Sequence, residues 1–139
     1  ACDGPEATVR DADIIISCTQ FKKNSDPKVV PEWVKAGSVA LPADVGSYWT
    51  SAGRDLMDKI FTDDIPQTES FADYGFFQGG PVRLDAEIGS VITGELKGRT
   101  SDEERIMCIN AGLSLYDIAL AQRTYERAVE AKVGQWLAW

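Results

Sequence analysis

Histidine is absent from all 139 residues, which removes the side chain that titrates nearest neutral pH and the commonest metal ligand. Acid–base chemistry must therefore fall to Asp, Glu, Lys, Tyr or water. Cysteine is scarce: Cys2, Cys18 and Cys108 are an odd number at long, irregular spacing, which makes neither a disulfide framework nor a metal knuckle. Three reduced thiols and no metal site are expected. Basic residues are outnumbered, 14 against 22 acidic, for a net charge of −8. That balance repels phosphate backbones and anionic headgroups, so neither nucleic acid nor a membrane surface is an expected partner. No apolar run approaches the roughly 20 residues that cross a bilayer, and no basic-then-apolar leader opens the chain. A soluble, cytoplasmic protein is the expectation. A glycine-rich G-x-G-x-x-G phosphate loop is missing too, since Gly79-Gly80 has neither a strand before it nor a helix after it.

What is present suits one core: 44% of the residues are hydrophobic, and the chain is too short for two ordinary domains. Pro5 to Arg10 reads as the end of a short helix, with Glu6 beside the positive end of its dipole. Ile14 to Cys18 has no helical period and predicts a strand buried on both faces of a parallel sheet. Thr19 to Val30 is polar and predicts a loop. Pro31 to Ala36, closed by Gly37, predicts a short helix. Ser38 to Leu41 predicts a strand that Pro42 ends, leaving Asp44 to Thr50 as a loop at its carboxyl end. Ser51 to Asp58 has mixed helical character, and Lys59 to Thr62 predicts a third strand. Gln67 to Phe76 is helical or irregular, and Asp85 to Thr93 predicts a short helix with Ile88, Val91 and Ile92 on one face. Alternating strand and helix argues for an α/β fold with a parallel sheet.

Ser101-Asp102-Glu103-Glu104 fits a capping box, and pattern alone predicts one helix from Asp102 to Lys132. A resemblance redraws that boundary. The stretch Arg99-Thr100-Ser101-Asp102-Glu103-Glu104-Arg105-Ile106-Met107-Cys108-Ile109-Asn110-Ala111-Gly112, the apolar-periodic segment after it and the closing Gly134-Gln135-Trp136-Leu137 resemble the tail of the ornithine cyclodeaminase and mu-crystallin family. Ser38-Val39-Ala40-Leu41-Pro42-Ala43-Asp44-Val45-Gly46 falls, in order and spacing, where that family carries a strand, a turn and its catalytic aspartate. The resemblance implies a strand over Arg105 to Asn110 and a long helix over 113–133, with Gly134 as its stop. It also implies that residues 1–139 are a single, partial NAD(P)-binding domain: the second half of a Rossmann-type, doubly wound sheet. The family's glycine-rich loop and amino-terminal substrate domain have no counterpart in these residues.

Asp44, read from residues alone, is an ordinary loop aspartate that caps a turn; the resemblance implies that it is the acid–base residue. Pro42-Ala43 replaces the family's usual pair of small residues, and Tyr48 stands where a lysine is common. Ser17-Cys18-Thr19 closes the first strand, where the resemblance places hydroxyl-bearing residues against the cofactor. Cys18, Thr19, Leu41, Pro42, Ala43, Tyr48 and Asn110 are the implied cofactor residues, and Ala111 faces the substrate. The same residues also suit ordinary strand ends satisfying their own backbone. NAD(H) or NADP(H) is the implied cofactor, a small amino acid or imine the implied substrate, and a homodimer or higher homo-oligomer the implied assembly. Asp63-Asp64 and Glu103-Glu104 lack further ligands at useful spacing and read as solvated or capping acids. Trp33, Trp49, Trp136 and Trp139 with Tyr48, Tyr74, Tyr116 and Tyr125 read as packing residues. Three function classes stay open: an ornithine cyclodeaminase-like enzyme, a mu-crystallin-like binding protein without turnover, and an inactive fragment.

Overall fold

A computed structural model describes residues 2–137. Its centre is a wholly parallel five-stranded sheet built from β1 (Ile14–Ser17), β2 (Val39–Pro42), β3 (Lys59–Thr62), β4 (Ala86–Glu87) and β5 (Ile106–Ile109). The helices are α1 (Pro5–Val9), α2 (Ser51–Asp55), α3 (Ile65–Asp73), α4 (Ile88–Ile92) and α5 (Ser114–Ala131). Spatial order is β1-β2-β5-β3-β4. The doubly wound order would seat β3 beside β2; instead the last strand is inserted between them, and all four of its residues are buried.

One face of the sheet carries the main core. Ile15, Ala40, Ile60, Met107 and Ile109 meet Val9 of α1, the fully buried Trp49, and Phe71 and Ala72 of α3. The other face is thinly covered. Phe61, Ile106 and Cys108 pack under Ile88 and Val91 of α4, and nothing among the described residues covers Ile14 and Ile16, which are 62% and 63% exposed. The expectation that β1 is buried on both faces is therefore wrong. It is an edge strand, and its alternate residues face solvent because no layer lies over that end of the sheet.

Local chemistry explains the boundaries. Thr50 caps α2 by accepting the Gly53 amide at 3.0 Å, and Asp64 caps α3 by accepting the Gln67 amide at 2.7 Å. Pro42 does not stop β2 but is its last residue, in register with Ser17. A proline is tolerated there because the next amide, Ala43, donates to the Ser17 carbonyl in its stead. Pro31 to Ala36 is one 3-10 turn, Pro31–Trp33, not a helix. The predicted helix over Asp85 to Thr93 splits into β4 and α4, because Asp85 pairs with Ile60 through both its amide and its carboxylate and draws Ala86-Glu87 into the sheet. The predicted capping box is absent. Glu104 reaches back one residue further, to the Thr100 amide at 2.7 Å and to the Thr100 hydroxyl, and also meets Lys59. This turn is clasped to the sheet by Arg99, which donates to the carbonyls of Glu104 and Gly37 at 2.7 and 2.9 Å. Gly37 is required there: its φ is +78°, and a Cβ would sit 2.5 Å from the Asp102 carbonyl oxygen.

α5 begins at Ser114, one residue after the expected start, ends at Ala131 because Lys132 turns the chain at a φ of 54° ahead of Gly134, and buries none of its residues. Leu115, Tyr116, Ile118, Tyr125 and Val129 are exposed along it. Of the aromatic residues expected to pack, Trp49 is core and Trp33 and Tyr48 are half-buried against it, whereas Tyr74, Tyr116, Tyr125 and Trp136 are exposed. Trp139 lies outside the described residues.

Candidate active site

The carboxyl ends of β1, β2 and β5 meet at one rim of the sheet, where Ser17 is in register with Pro42 and the Asn110 amide donates to the Pro42 carbonyl at 3.3 Å. Parallel sheets gather strand ends in this way, and open α/β sheets bind ligands there. The loop after β1 is lashed to the loop after β2: Lys28 and Val29 donate to the Tyr48 carbonyl, Thr50 donates to that of Val29, and the Ser25 hydroxyl donates to that of Ser47. Beneath them Arg54, itself buried, donates to the Trp49 carbonyl at 2.7 Å and to that of Gln78, with Phe77 against its guanidinium. Burial lowers its pKa, but no carboxylate pairs with it among the described residues.

Asp44 sits at the centre of this rim and is 1% exposed. Four donors meet its carboxylate: the Ser17 hydroxyl at 2.9 Å and the Gly46 amide at 3.1 Å on Oδ1, and the Thr19 hydroxyl at 2.7 Å and the Thr19 amide at 3.2 Å on Oδ2. Behind it Trp49 Nε1 donates to the Ser17 hydroxyl at 3.2 Å, so the Ser17 proton is committed to Asp44. Val45 takes a positive φ of 56° just after it, which turns the chain so that the Gly46 amide points back at the carboxylate. Thr19 is exposed and lies beyond the end of β1, so its two contacts are the outermost of the four.

The sequence-predicted cofactor residues separate into two groups. Cys18, Thr19 and Tyr48 line a groove of about 370 Å³ that runs along the open edge of β1. Leu41 and Asn110 line another of about 480 Å³ on the thinly covered sheet face, with Cys108 and Tyr116. Pro42 is buried between the two, Ala43 is exposed above it, and Ala111 is half-buried. The Asn110 side-chain amide is turned back to the Cys108 carbonyl at 3.1 Å. Burial pushes the Cys108 thiol up to about 11, with Asp63 adding to the effect, so it stays protonated.

Sequence reasoning treated Asp63 and Asp64 alike, and they differ. Asp64 caps α3 as expected; Asp63 is 7% exposed and accepts the Ala111 and Gly112 amides. The available signal was that two acids follow a strand directly and only one can be the helix cap. Among the described residues no group of three or more acids or thiols could hold a metal.

The sequence matches the ornithine cyclodeaminase/mu-crystallin family over residues 1–132. The chain belongs to that family. It is 29% identical to a Δ1-pyrroline-2-carboxylate reductase of Bacillus cereus over 94% of this chain and 42% of that protein. It is 31% identical to the alanine dehydrogenase of Archaeoglobus fulgidus over 88% of this chain and 39% of that protein. The chain thus spans about two fifths of the length of the curated relatives it matches. The same fold occurs in CmnK, at a TM-score of 0.81 and 19% identity over 99% of this chain and 42% of that one. An archaeal alanine dehydrogenase dimer with bound NAD superposes at 0.68 and 26% identity, covering 96% of this chain and 43% of that one. A Thermococcus litoralis Δ1-pyrroline-2-carboxylate reductase in complex with NADH and L-proline superposes at 0.67 and 25%, covering 95% and 42%. This family member is an α/β protein with a Rossmann-like parallel sheet and a carboxyl-terminal helix of 18 residues.

Proposed function

We propose that this chain is the carboxyl-terminal part of an NAD(H)- or NADP(H)-dependent enzyme of the ornithine cyclodeaminase type, acting on a small amino acid or cyclic imine by deamination with cyclisation or by imine reduction. The observation that carries the reading is the Asp44 carboxylate, ringed by donors at the joint carboxyl end of β1 and β2, in a chain whose fold is shared with NAD- and NADH-bound relatives.

The residues present fit the nicotinamide end of such a cofactor. Asn110 is exposed at the rim and carries an amide able to pair with a carboxamide, and small Cys18 and Thr19 leave the backbone approachable beside β1. They do not fit its diphosphate, because the chain contains no glycine-rich strand-turn-helix. When bound, a nicotinamide nucleotide supplies hydride transfer at the substrate's α-carbon. Asp44 moves the proton: its Oδ2 takes one from the substrate amine or an attacking water, and returns it in the reductive direction. Oδ2 is reached only when Thr19 withdraws its hydroxyl, since Asp44 is 1% exposed as the site stands. The full-length protein is read here as a homo-oligomer, a reading supported by the dimeric alanine dehydrogenase that shares this fold.

A second reading, a binding protein that holds the nucleotide and a small ligand without turnover, is favoured by that same seal over Asp44. The two are separated in the full-length protein by NADH fluorescence titration and by turnover with ornithine, alanine and cyclic imines. Asp44→Asn is expected to leave NADH affinity nearly unchanged and to lower kcat by roughly a hundred- to ten-thousand-fold. Near-normal turnover in the variant removes Asp44 from the chemistry. NADH binding with no turnover of any substrate selects the binding protein, and no NADH binding leaves neither.

A further inference from the structure

We propose that Asp63 is a positioning residue for this site: it holds the exit of β5, from Asn110 to Gly112, in the placement that brings Asn110 and Ala111 to the rim. The proposal rests on the nicotinamide-dependent reading above. Asp63 follows β3 and is buried, yet no ion pair neutralises it among the described residues. A buried charge is costly unless its hydrogen bonds are satisfied. Here Oδ1 accepts the Ala111 amide at 3.1 Å and Oδ2 the Gly112 amide at 2.6 Å. Two successive amides converging on one carboxylate is how backbone cradles an anion. Gly112 supplies the turn this needs, at a φ of +87°.

The helix that follows does not require this arrangement, because Asp64 already caps α3. Sheet pairing does not require it either, since β3 and β5 pair from Lys59↔Ile106 to Thr62↔Ile109, and the Thr62 hydroxyl already bonds the Ile109 carbonyl at 3.0 Å. The clamp reaches beyond the sheet to the Ala111 and Gly112 amides, while Oδ1 also accepts from the Thr62 hydroxyl and the Asp64 amide beside it at 3.3 and 3.1 Å. Gln67 of α3 grips the next peptide, its amide donating to the Gly112 carbonyl at 3.2 Å. Asn110 lies one residue before the clamped amides; its side chain is tied only to its own strand, and its backbone amide donates to the Pro42 carbonyl at 3.3 Å. Its place at the rim is therefore set from two sides, by β2 through that bond and by where Asp63 puts Ala111.

The test uses the full-length protein with Asp63→Asn and Gln67→Ala. An asparagine offers one acceptor oxygen and turns an NH2 group on the other amide, so the clamp loses one arm and gains a repulsion. Amide exchange at Ala111 and Gly112, NADH affinity by fluorescence, melting temperature and kcat are measured for each. Asp63→Asn is expected to speed exchange at both amides by roughly tenfold or more. It should lower kcat by roughly 10- to 100-fold, the penalty of a site misplaced by about 1 Å, with NADH affinity changed less than about threefold. Gln67→Ala should act in the same direction and less strongly. Wild-type kcat beside faster exchange overturns the proposal, and so does a kcat loss that vanishes once the folded fraction is matched. If Asp63→Asn does not fold, wild-type exchange and kcat in Gln67→Ala overturn it. A wild-type protein that binds no NADH overturns the underlying reading, and this proposal with it. One that binds and turns over equally well as Asp63→Asn overturns this proposal alone.

Discussion

At the scale of single residues, the three thiols separate cleanly. Cys2 and Cys18 are exposed, whereas Cys108 is buried in the centre of the sheet with its pKa raised to about 11. The thiolate is the reactive form, and at pH 8 such a group is ionised to roughly one part in a thousand. A native thiol titration at pH 8 should count two reactive cysteines quickly and the third only after denaturant is added. A fast third thiol in the folded protein would mean that the β5 environment is open. Asp44 and Asp63 illustrate a different point. From sequence each was one aspartate among many, because an acid's partners are set by which distant strands end beside it. Asp44 meets Ser17 and Thr19 across 25 to 27 residues, and Asp63 meets Ala111 and Gly112 across 48 to 49. The family resemblance singled out Asp44; the one local mark of Asp63 is that it stands between a strand and the aspartate that caps α3.

Among elements, strands were legible where β-branched or apolar residues run together: Ile14 to Ser17, Val39 to Leu41 and Lys59 to Thr62 stand close to where they were expected. β4 was not, because its two residues, Ala86-Glu87, have no periodicity to read and owe their place to Asp85 bonding Ile60. β5 and the start of α5 were legible only through the resemblance, since the charged turn before Ile106 mimics a helix start. The burial of β1 was misjudged for a related reason: pattern reports apolarity, not which layer is present to cover it. Its pairing explains the rest. Asp13 and Ser17 carbonyls accept from Val39 and Ala43 of the neighbouring segment, so by alternation the backbone of Ile14 and Ile16 points off the open edge. An apolar edge with free donors and acceptors recruits another strand. The 139-residue chain alone is therefore expected to self-associate at high micromolar concentration, and Ile16→Lys to weaken that association while the fold survives. Ile15→Lys should instead unfold the chain, because Ile15 is core. Sedimentation velocity with circular dichroism reads both; a monodisperse wild-type monomer would sink the edge argument.

For the molecule as a whole, acid stability should show a defined step. The Glu104 carboxyl is held at about 2 rather than 4.5, first by the Thr100 hydroxyl, then by the Thr100 amide, and less by Lys59. A carboxyl whose folded pKa lies below its unfolded one adds stability that is fully present above about pH 4.5 and lost as pH falls toward 2. Glu104→Gln should lower the melting temperature at pH 7 and flatten its decline across that window. An unchanged decline would remove Glu104 from the acid response. With a net charge of −8, protonation of other carboxylates relieves self-repulsion over the same range, so the comparison between wild type and variant carries the information. Among the described residues no helix is long and apolar enough to cross a membrane.

The insertion of β5 between β2 and β3 also governs how the molecule is made. Within these residues synthesis delivers β1 to β4 before β5, and until residues 106–109 arrive the pairs β1 with β2 and β3 with β4 have no strand of this chain to join them. Isolated two-stranded ribbons are marginal in water, and parallel pairing is the less stable kind. Ala40 and Ile60, both core residues that flank the vacant central position, therefore stay uncovered on the ribosome until the last third of the chain is complete. The nascent protein depends on late, long-range closure, which is slow and exposes it to aggregation; chaperone occupancy during translation should persist until β5 has left the exit tunnel.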